Sequence, residues 1–325
     1  MIYPDQARYA RLAAEMLGLE FVDFDNGNGY VFAVKGKSGC LVSGAGWICS
    51  YPINSASSYG ISRDKAHTKS ILHHLGIPTI QGSLFFNTTS HLALRNPGHE
   101  AKDAFPFATN LGFPVFCKPN SGARGDYAEL ISNPEELANY TTRLPQMYDA
   151  FLVEEVIRGD EYRVLLHDGR PVYYALKRPP HLTGDGAHTL AELLAHVNET
   201  IKGTGVSPYP DSSVTAAGFK LDYTPRLNER VTLLGRQNLS AFGGIDLLDT
   251  NVPEPLFRLA HQACDAIDLR LGAVDIFDKS EARNLSDLVI IEVNGNPTLK
   301  ALEASGRLNM ILDIWTSMIR ERLDV

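Results

Sequence analysis

The chain has 325 residues, 44% of them hydrophobic and 21% charged, enough for one composite core or two to three packed lobes. A formal net charge of −8 argues against a nucleic-acid polyanion as the main partner, because such proteins carry a basic face. No apolar run is long enough to span a membrane, and Cys40, Cys49, Cys117 and Cys264 show neither a CxxC pair nor metal-like spacing with the histidines, so reduced thiols and a cytoplasmic location are expected.

In chain order, "MIYPDQARYARLAAEMLG" has the spacing of an amphipathic helix with Pro4 in its first turn, unlike a signal peptide or an anchor. Short strands at "LEFVDF", "YVFAV" and "GCLVS" and a small-residue loop, "YPINSASSYG", complete a compact α/β lobe over residues 1–62. From Ser62, "SRDKAHTKSILHHLGIPT" has a capping residue, helical spacing and a Gly76 stop with Pro78 behind it. Strands are expected at "FPVFCKPN", "YAELIS", "AFLVEEVI", "EYRVLLHD", "PVYYALKR", "LRLGAVDIF" and "LVIIEVN". Helices are expected at "NPEELANYTTRL", "TLAELLAHVNET" and "VPEPLFRLAHQACDAI". The set is a mixed α/β fold.

Two familiar phosphate motifs fail. "KGKS" at 35–38 lacks the glycine of a Walker A loop, where Val31 stands, and "GNG" at 27–29 runs into a strand rather than a GxxG helix start. Other residues suit nucleotide chemistry better. Lys118 ends an apolar strand, where an inward lysine needs an anion, and the loop holding Ser121, Gly122 and Gly125 is rich in backbone donors. In "LVEEVIRGDE", Glu154 and Glu155 end a strand, the backbone at Val156 and Ile157 can meet an adenine edge, and Glu161 can take ribose hydroxyls. Asp275, Glu292 and Asn294 are oxygen ligands on strands, a donor set that suits magnesium held partly by phosphates. On a strand as apolar as "LVIIEVN", Glu292 and Asn294 need a cation, a metal ion or each other.

The ordered set "DKAHTK", "FPVFCKPNSGARG", "FLVEEVIRGDEYRVLL", "ALKRPPHLTGDGAHTLAELL", "RQNLSAFGGIDLLD", "GAVDIF" and "IIEVNGNP" resembles the ATP-grasp superfamily. Within it the resemblance is to the ligase domains of the cyanophycin synthetase and bifunctional glutathione synthetase type. It implies an α/β (α+β) ATP-grasp fold in which two lobes, residues 63–153 and 154–325, clamp ATP behind the short N-terminal lobe. It further implies that Lys65 and Lys118 contact phosphates under the 121–125 loop, that Glu154, Val156 and Ile157 frame adenine, and that Glu161 holds the ribose. Asp275, Glu292 and Asn294 would hold two magnesium ions, with manganese able to substitute. Arg178, Asn238 and, beyond them, Arg236 would lie near the γ-phosphate and acyl group.

The activity implied is ATP-dependent ligation of a carboxylate to an amine through an acylphosphate. A phosphotransferase and a nucleotide-binding module without turnover stay open as alternatives. Expected partners are small amino acids or peptides, without nucleic acid or membrane, and a homodimer is left open. The pattern departs from D-alanyl-D-alanine ligases, which carry an arginine two residues before the metal aspartate; here that residue is Ala273. His73 and His74 suit a helix surface, Tyr173 and Tyr174 a strand, and "ERLDV" a solvated tail. "HLTGDGAHT" fits a plain turn or a mobile loop beside the active site.

Overall fold

The structure, a computed structural model, describes residues 3–37, 39–122, 125–202, 208–234 and 244–325. Helix α1 (Asp5–Met16) leads into β1 (Glu20–Asp23), β2 (Val31–Lys35) and β3 (Cys40–Gly44), a three-stranded sheet in the order β1-β2-β3. Helices α2 (Ala56–Arg63) and α3 (Lys65–His74) follow. Next come β4 (Gly82–Phe86), α4 (Ala104–Leu111), β5 (Val115–Pro119), β6 (Glu129–Ile131), α5 (Pro134–Arg143) and β7 (Ala150–Glu155), whose strands form a four-stranded sheet ordered β4-β7-β5-β6. The chain then runs through β8 (Asp160–His167), β9 (Arg170–Arg178), β10 (His181–Thr183), α6 (Leu190–Ile201), α7 (Ser212–Thr215), β11 (Arg230–Thr232) and β12 (Gly244–Asp249). Helix α8 (Glu254–Asp265), β13 (Leu271–Asp278), β14 (Leu288–Asn294), α9 (Lys300–Ala304) and α10 (Leu308–Leu323) complete it. Strands β12-β9-β8-β13-β14 make a five-stranded sheet, and β10-β11 a separate pair.

The two-residue period of a strand divides the five-stranded sheet into unlike faces. On one face Val164, Leu166, Val274, Ile276, Ile290 and Val293 pack with Leu256, Leu259, Ala260 and Ala263 of α8. The other face is split along its length. At one end Leu165, Tyr173, Ala175, Leu271 and Ala273 share a core with α1, the first sheet and the Trp315 face of α10. At the other end the same face carries Glu161, Arg163, Lys177, Asp275 and Glu292, because Arg163 opposes Asp275 across β8-β13 and Asp275 opposes Glu292 across β13-β14. The register of β14 shifts beside Asp275, where Ile276 pairs with Ile290 rather than Ile291. That extra residue lets both Ile290 and Glu292 reach their opposite faces.

The four-stranded sheet has its own core, in which Val115, Cys117, Phe151 and Val153 pack with Ala104, Ala108, Leu137 and Tyr140. It is tied to the larger sheet before it begins: Ile290 N–H donates to Pro78 O at 2.9 Å and Ile80 N–H to Ile290 O at 3.2 Å. The remaining connection is the turn from β7 to β8. There Gly159 has φ +151°, and a Cβ at this position would lie 2.0 Å from the carbonyl oxygen of Asp278.

The strands and helices expected from the sequence are present, with differences at helix signals. The small-residue stretch after Asn54 is helix α2 rather than loop, with the Ser55 side chain accepting from Ser58 N–H. The cap of α3 is Asp64, accepting from His67 N–H, and not Ser62, which belongs to the preceding helix. The tail is solvated only at its end, since Leu323 is buried and Glu321 pairs with Arg270. Among the described residues no helix is long and apolar enough to cross a membrane.

Replacing Gly159 by alanine should therefore cost roughly 2–4 kcal/mol, because both the backbone conformation and the approach to Asp278 exclude a side chain. The midpoint of a guanidinium denaturation curve measures it, and a loss below about 0.5 kcal/mol would show that the turn relaxes freely.

Candidate active site

Between the two larger sheets lies a buried polar layer with cations on one side and mostly carboxylates on the other. Lys118 on β5 and Glu154 on β7 stand on the same face of the four-stranded sheet, since Phe116 pairs with Glu154 and Lys118 with Leu152. Lys118 Nζ lies 2.8 Å from Glu154 Oε2, and Lys69, one turn into α3, bonds the other carboxylate oxygen. Glu154 is 1% exposed, so both lysines are needed against the cost of burying its charge. The strand opposite makes room for it: a Cβ on Gly82 would lie 2.7 Å from Glu154 Cγ.

Lys65, at the start of α3, connects the sides. Its ammonium donates to Gly122 O at 3.0 Å in the loop after β5 and lies 3.4 Å from Glu292 Oε1 on β14. The Asn120 side chain fixes the helix start by accepting from Ala66 N–H at 2.9 Å. On the five-stranded sheet Arg163 holds Asp275 with two hydrogen bonds, Nε to Oδ1 at 2.8 Å and Nη2 to Oδ2 at 2.7 Å. Lys177 reaches Asp275 Oδ2 at 3.1 Å and also bonds Glu161, while Asn294 Nδ2 is 3.5 Å from the same Oδ2.

No family model matches the chain. Over 252 residues it is 29% identical to the cyanophycin synthetase of Synechocystis sp., an alignment covering 72% of this chain and 27% of that protein. It is 30% identical over 207 residues to the glutathione biosynthesis bifunctional protein of Listeria welshimeri, with 60% and 25% of the two chains covered. Among solved structures, a bifunctional glutathione synthetase from Pasteurella multocida superposes with a TM-score of 0.51 at 21% identity, covering 95% of this chain and 44% of that one. The chain has the ATP-grasp fold. It spans about a quarter of the length of these curated relatives.

Within this ATP-grasp fold the structure gathers Lys65, Lys118, Glu154, Glu161, Asp275, Glu292 and Asn294 into one layer. Ser121 and Gly122 adjoin it through Lys65, and Gly125 takes a left-handed turn with φ +75°. Glu155 is turned elsewhere: its side chain accepts from Gln81 N–H at 2.8 Å, pinning the approach to β4. Val156 and Ile157 follow β7, and Ile157 packs on Ile80, Phe277 and Val289 between the sheets. Arg178, one residue beyond Lys177, has Nε 3.5 Å from Asp246 Oδ1 and its guanidinium close over Gly244. Arg236 and Asn238 lie outside the described residues. Asp185 accepts from Ala187 N–H and His188 N–H at 2.9 Å in an exposed turn, and His188 Nδ1 is 2.6 Å from its other oxygen.

Three members of the layer escaped the sequence reading: Lys69, Arg163 and Lys177. Each lies inside a quoted motif, and a periodicity signal was available for each. Lys69 is four residues after Lys65, one helical turn away, while Arg163 and Lys177 share the strand phase of Glu161 and its cross-strand partner.

Burial and charge act against each other here. Burial alone would favour protonated Asp275, but Arg163 and Lys177 hold its carboxyl well below the usual range. Burial raises Glu161, and the neighbouring charge of Asp275 adds to that rise despite Lys177. Glu154 stays below its ordinary value because Lys118 and Lys69 outweigh burial. The two lysines then part. Burial opposes Lys118, yet Glu154, Glu292 and Glu161 raise it, whereas burial, reinforced by the charge on Lys118, pulls Lys69 down to about 8.

The donors expected for metal are hard oxygens on neighbouring strands, as magnesium requires. Among the described residues no three acidic, histidine or cysteine groups already converge on one point. Asp275 and Glu292 are instead neutralised by Arg163, Lys177 and Lys65. The donor chemistry fits a divalent ion, and Arg163 and Lys177 hold Asp275 charged.

Two outcomes follow. Arg163→Met should cost about 3–5 kcal/mol, the usual cost of stripping a partner from a buried ion pair. The double variant with Asp275→Leu should cost less than the sum of the single changes, and a denaturation cycle with coupling under about 0.5 kcal/mol would refute the pairing.

The unfolded chain keeps the Lys69 proton up to about 10.5, while the folded chain releases it from about 8. Between these values the unfolded state binds more protons, so this lysine's contribution to stability rises with pH and is lost as pH falls to 8. Lys69→Met should therefore flatten the stability profile between pH 8 and 10 by roughly 1–3 kcal/mol. Identical profiles for variant and wild type would overturn it.

Proposed function

We propose that this chain is an ATP-dependent carboxylate–amine ligase that forms an amide through an acylphosphate and releases ADP and phosphate. The observation that carries this reading is the layer itself: Lys65, Lys69 and Lys118 face Asp275, Glu292 and Asn294 across two sheets joined at residues 78–80. A polyphosphate needs the first group and its counter-ion the second. The names of the sequence relatives, all synthetic enzymes, support the same reaction class.

A carboxylate is a poor acyl donor because its leaving group is oxide. Phosphorylation supplies a better one. Lys118, Lys69 and Lys65 bind the phosphates, the loop through Ser121, Gly122 and Gly125 covers them, and the backbone of Val156 and Ile157 meets adenine, with Glu161 toward the ribose. Asp275, Glu292 and Asn294 hold magnesium, which when bound offsets charge on the transferring phosphoryl group. Arg163, 19% exposed beside Asp275, and Arg178 at the rim supply guanidinium donors to the acyl end. Residues 63–153 and 154–325 act as the two clamping lobes. The substrates are small amino acids or peptides, and the cytoplasm is the compartment that supplies them with ATP.

Incubation with ATP, magnesium, hydroxylamine and pooled amino acids should yield a hydroxamate, seen by mass spectrometry, with ADP release rising with hydroxylamine. Glu292→Gln should abolish this with the fold intact, and Lys118→Ala should slow it on the order of 10²- to 10³-fold, while exposed Lys102→Ala leaves it unchanged. Accumulation of a stable phosphate ester without acceleration by any amine would make the chain a kinase.

A further inference from the structure

The five-stranded sheet has a second concavity, of about 510 Å³, at the end opposite the polar layer, where the turn from β8 to β9 faces α10. The two places are separate: His167 lies six steps along β8 from Glu161, or ~20 Å at ~3.3 Å per residue. Its volume lies in the range of small-molecule sites. Helix α10 contributes Met310, Asp313, Ile314 and Ser317, spaced as one helical face, and the strands contribute His167, Arg170 and Val172.

The charges here are unevenly used. Asp168 is spent on Arg270 at 2.7 Å, and Arg270 on Glu321 at 2.7 Å. Arg170 on the strand wall and Asp313 on the helix wall are exposed, and among the described residues neither is ion-paired, with the other or with a third group. Between them His167, its side chain 16% exposed, keeps a buried Nε2 without a hydrogen bond; Asp168 Oδ2 is 3.5 Å away in a geometry that makes none. That nitrogen is enclosed, so the ring serves as a wall of the pocket and the exposed charges are the groups an occupant can meet. One free cation and one free anion on facing walls, over a floor of Val172, Met310 and Ile314, match a molecule with both charges and an apolar part.

We propose that this pocket binds a free α-amino acid, its carboxylate toward Arg170 and its ammonium toward Asp313 and Ser317, at a site distinct from the catalytic layer. The inference does not depend on the ligase reading. Strands β8 and β9 carry both sites, His167 and Arg170 at one end and Glu161 and Lys177 at the other, so an occupant here braces the hairpin that positions the catalytic groups.

Calorimetric titration of the full chain with each of the twenty free amino acids, without ATP or magnesium, tests it. At least one should bind at a single site, and its N-acetyl derivative, which lacks the ammonium, should not. Arg170→Gln and Asp313→Asn, at exposed positions that leave the melting temperature unchanged, should each weaken binding at least 10-fold, while Glu292→Gln binds like wild type. No binding by any amino acid up to about 10 mM, roughly the weakest affinity such contacts give, would overturn the proposal. So would binding that persists in both pocket variants, or that falls in Glu292→Gln.

Discussion

Asp275 is 4% exposed in the middle of the interior strand β13, and an isolated charge in that place would not survive as a charge. Its retention depends on a bidentate guanidinium from β8 and an ammonium from β9, both delivered by sheet register and not by loops. Much of the remaining layer follows from this constraint. Lys177 is shared with Glu161, so two carboxylates compete for one ammonium, and burial leaves Glu161 with the weaker hold on its charge. Lys65 takes Glu292 from the other side, and Glu154 takes Lys118 and Lys69. The polar interior is thus a mosaic of opposite charges in which most groups answer to more than one partner.

Such a mosaic suits a site that exchanges partners. Internal ion pairs add little net stability over well-packed apolar groups, so their presence between two sheets is better explained by what they prepare. Lysines already desolvated and fixed by Glu154 would need little reorganisation to meet phosphate oxygens, and Asp275, held ionised by Arg163 and Lys177, would be ready to take a divalent ion. The placement of Lys65 links the two sides, because its one ammonium touches both the loop at Gly122 and Glu292 on β14. An anion that drew Lys65 toward the loop would release Glu292 for a cation.

How far the sequence alone reached depends on the kind of signal. The strands carrying Lys118, Glu154, Glu161, Asp275 and Glu292 are apolar runs broken by a charge, a pattern visible without a structure, and their order was enough to suggest the fold. Helix α2 was misread because "SASSYG" has a loop's composition; what makes it helical is the Ser55 cap and the packing of its buried face, and composition registers neither. Lys177 was passed over for a related reason. Which face a strand residue takes depends on register with its neighbour, here β8, a non-local property. Lys69 was passed over because a lysine on a helix looks solvated until the sheet beneath supplies Glu154.

Register also accounts for the departure at Ala273. The resemblance led to the expectation of an arginine two residues before the aspartate in D-alanyl-D-alanine ligases, and Ala273 stands there instead. Yet Ala273 sits where the face turns from the polar layer to the core shared with Leu165, Tyr173 and Leu271, a place with no room for a guanidinium. The cation comes instead from Arg163, the direct cross-strand partner of Asp275. Positions two apart on one strand and positions opposite on neighbouring strands lie on the same face at similar range, so either can neutralise the same carboxylate. What the site requires is a cation at that point in space, and moving its source to β8 frees β13 for the apolar packing that joins the N-terminal lobe to the sheet.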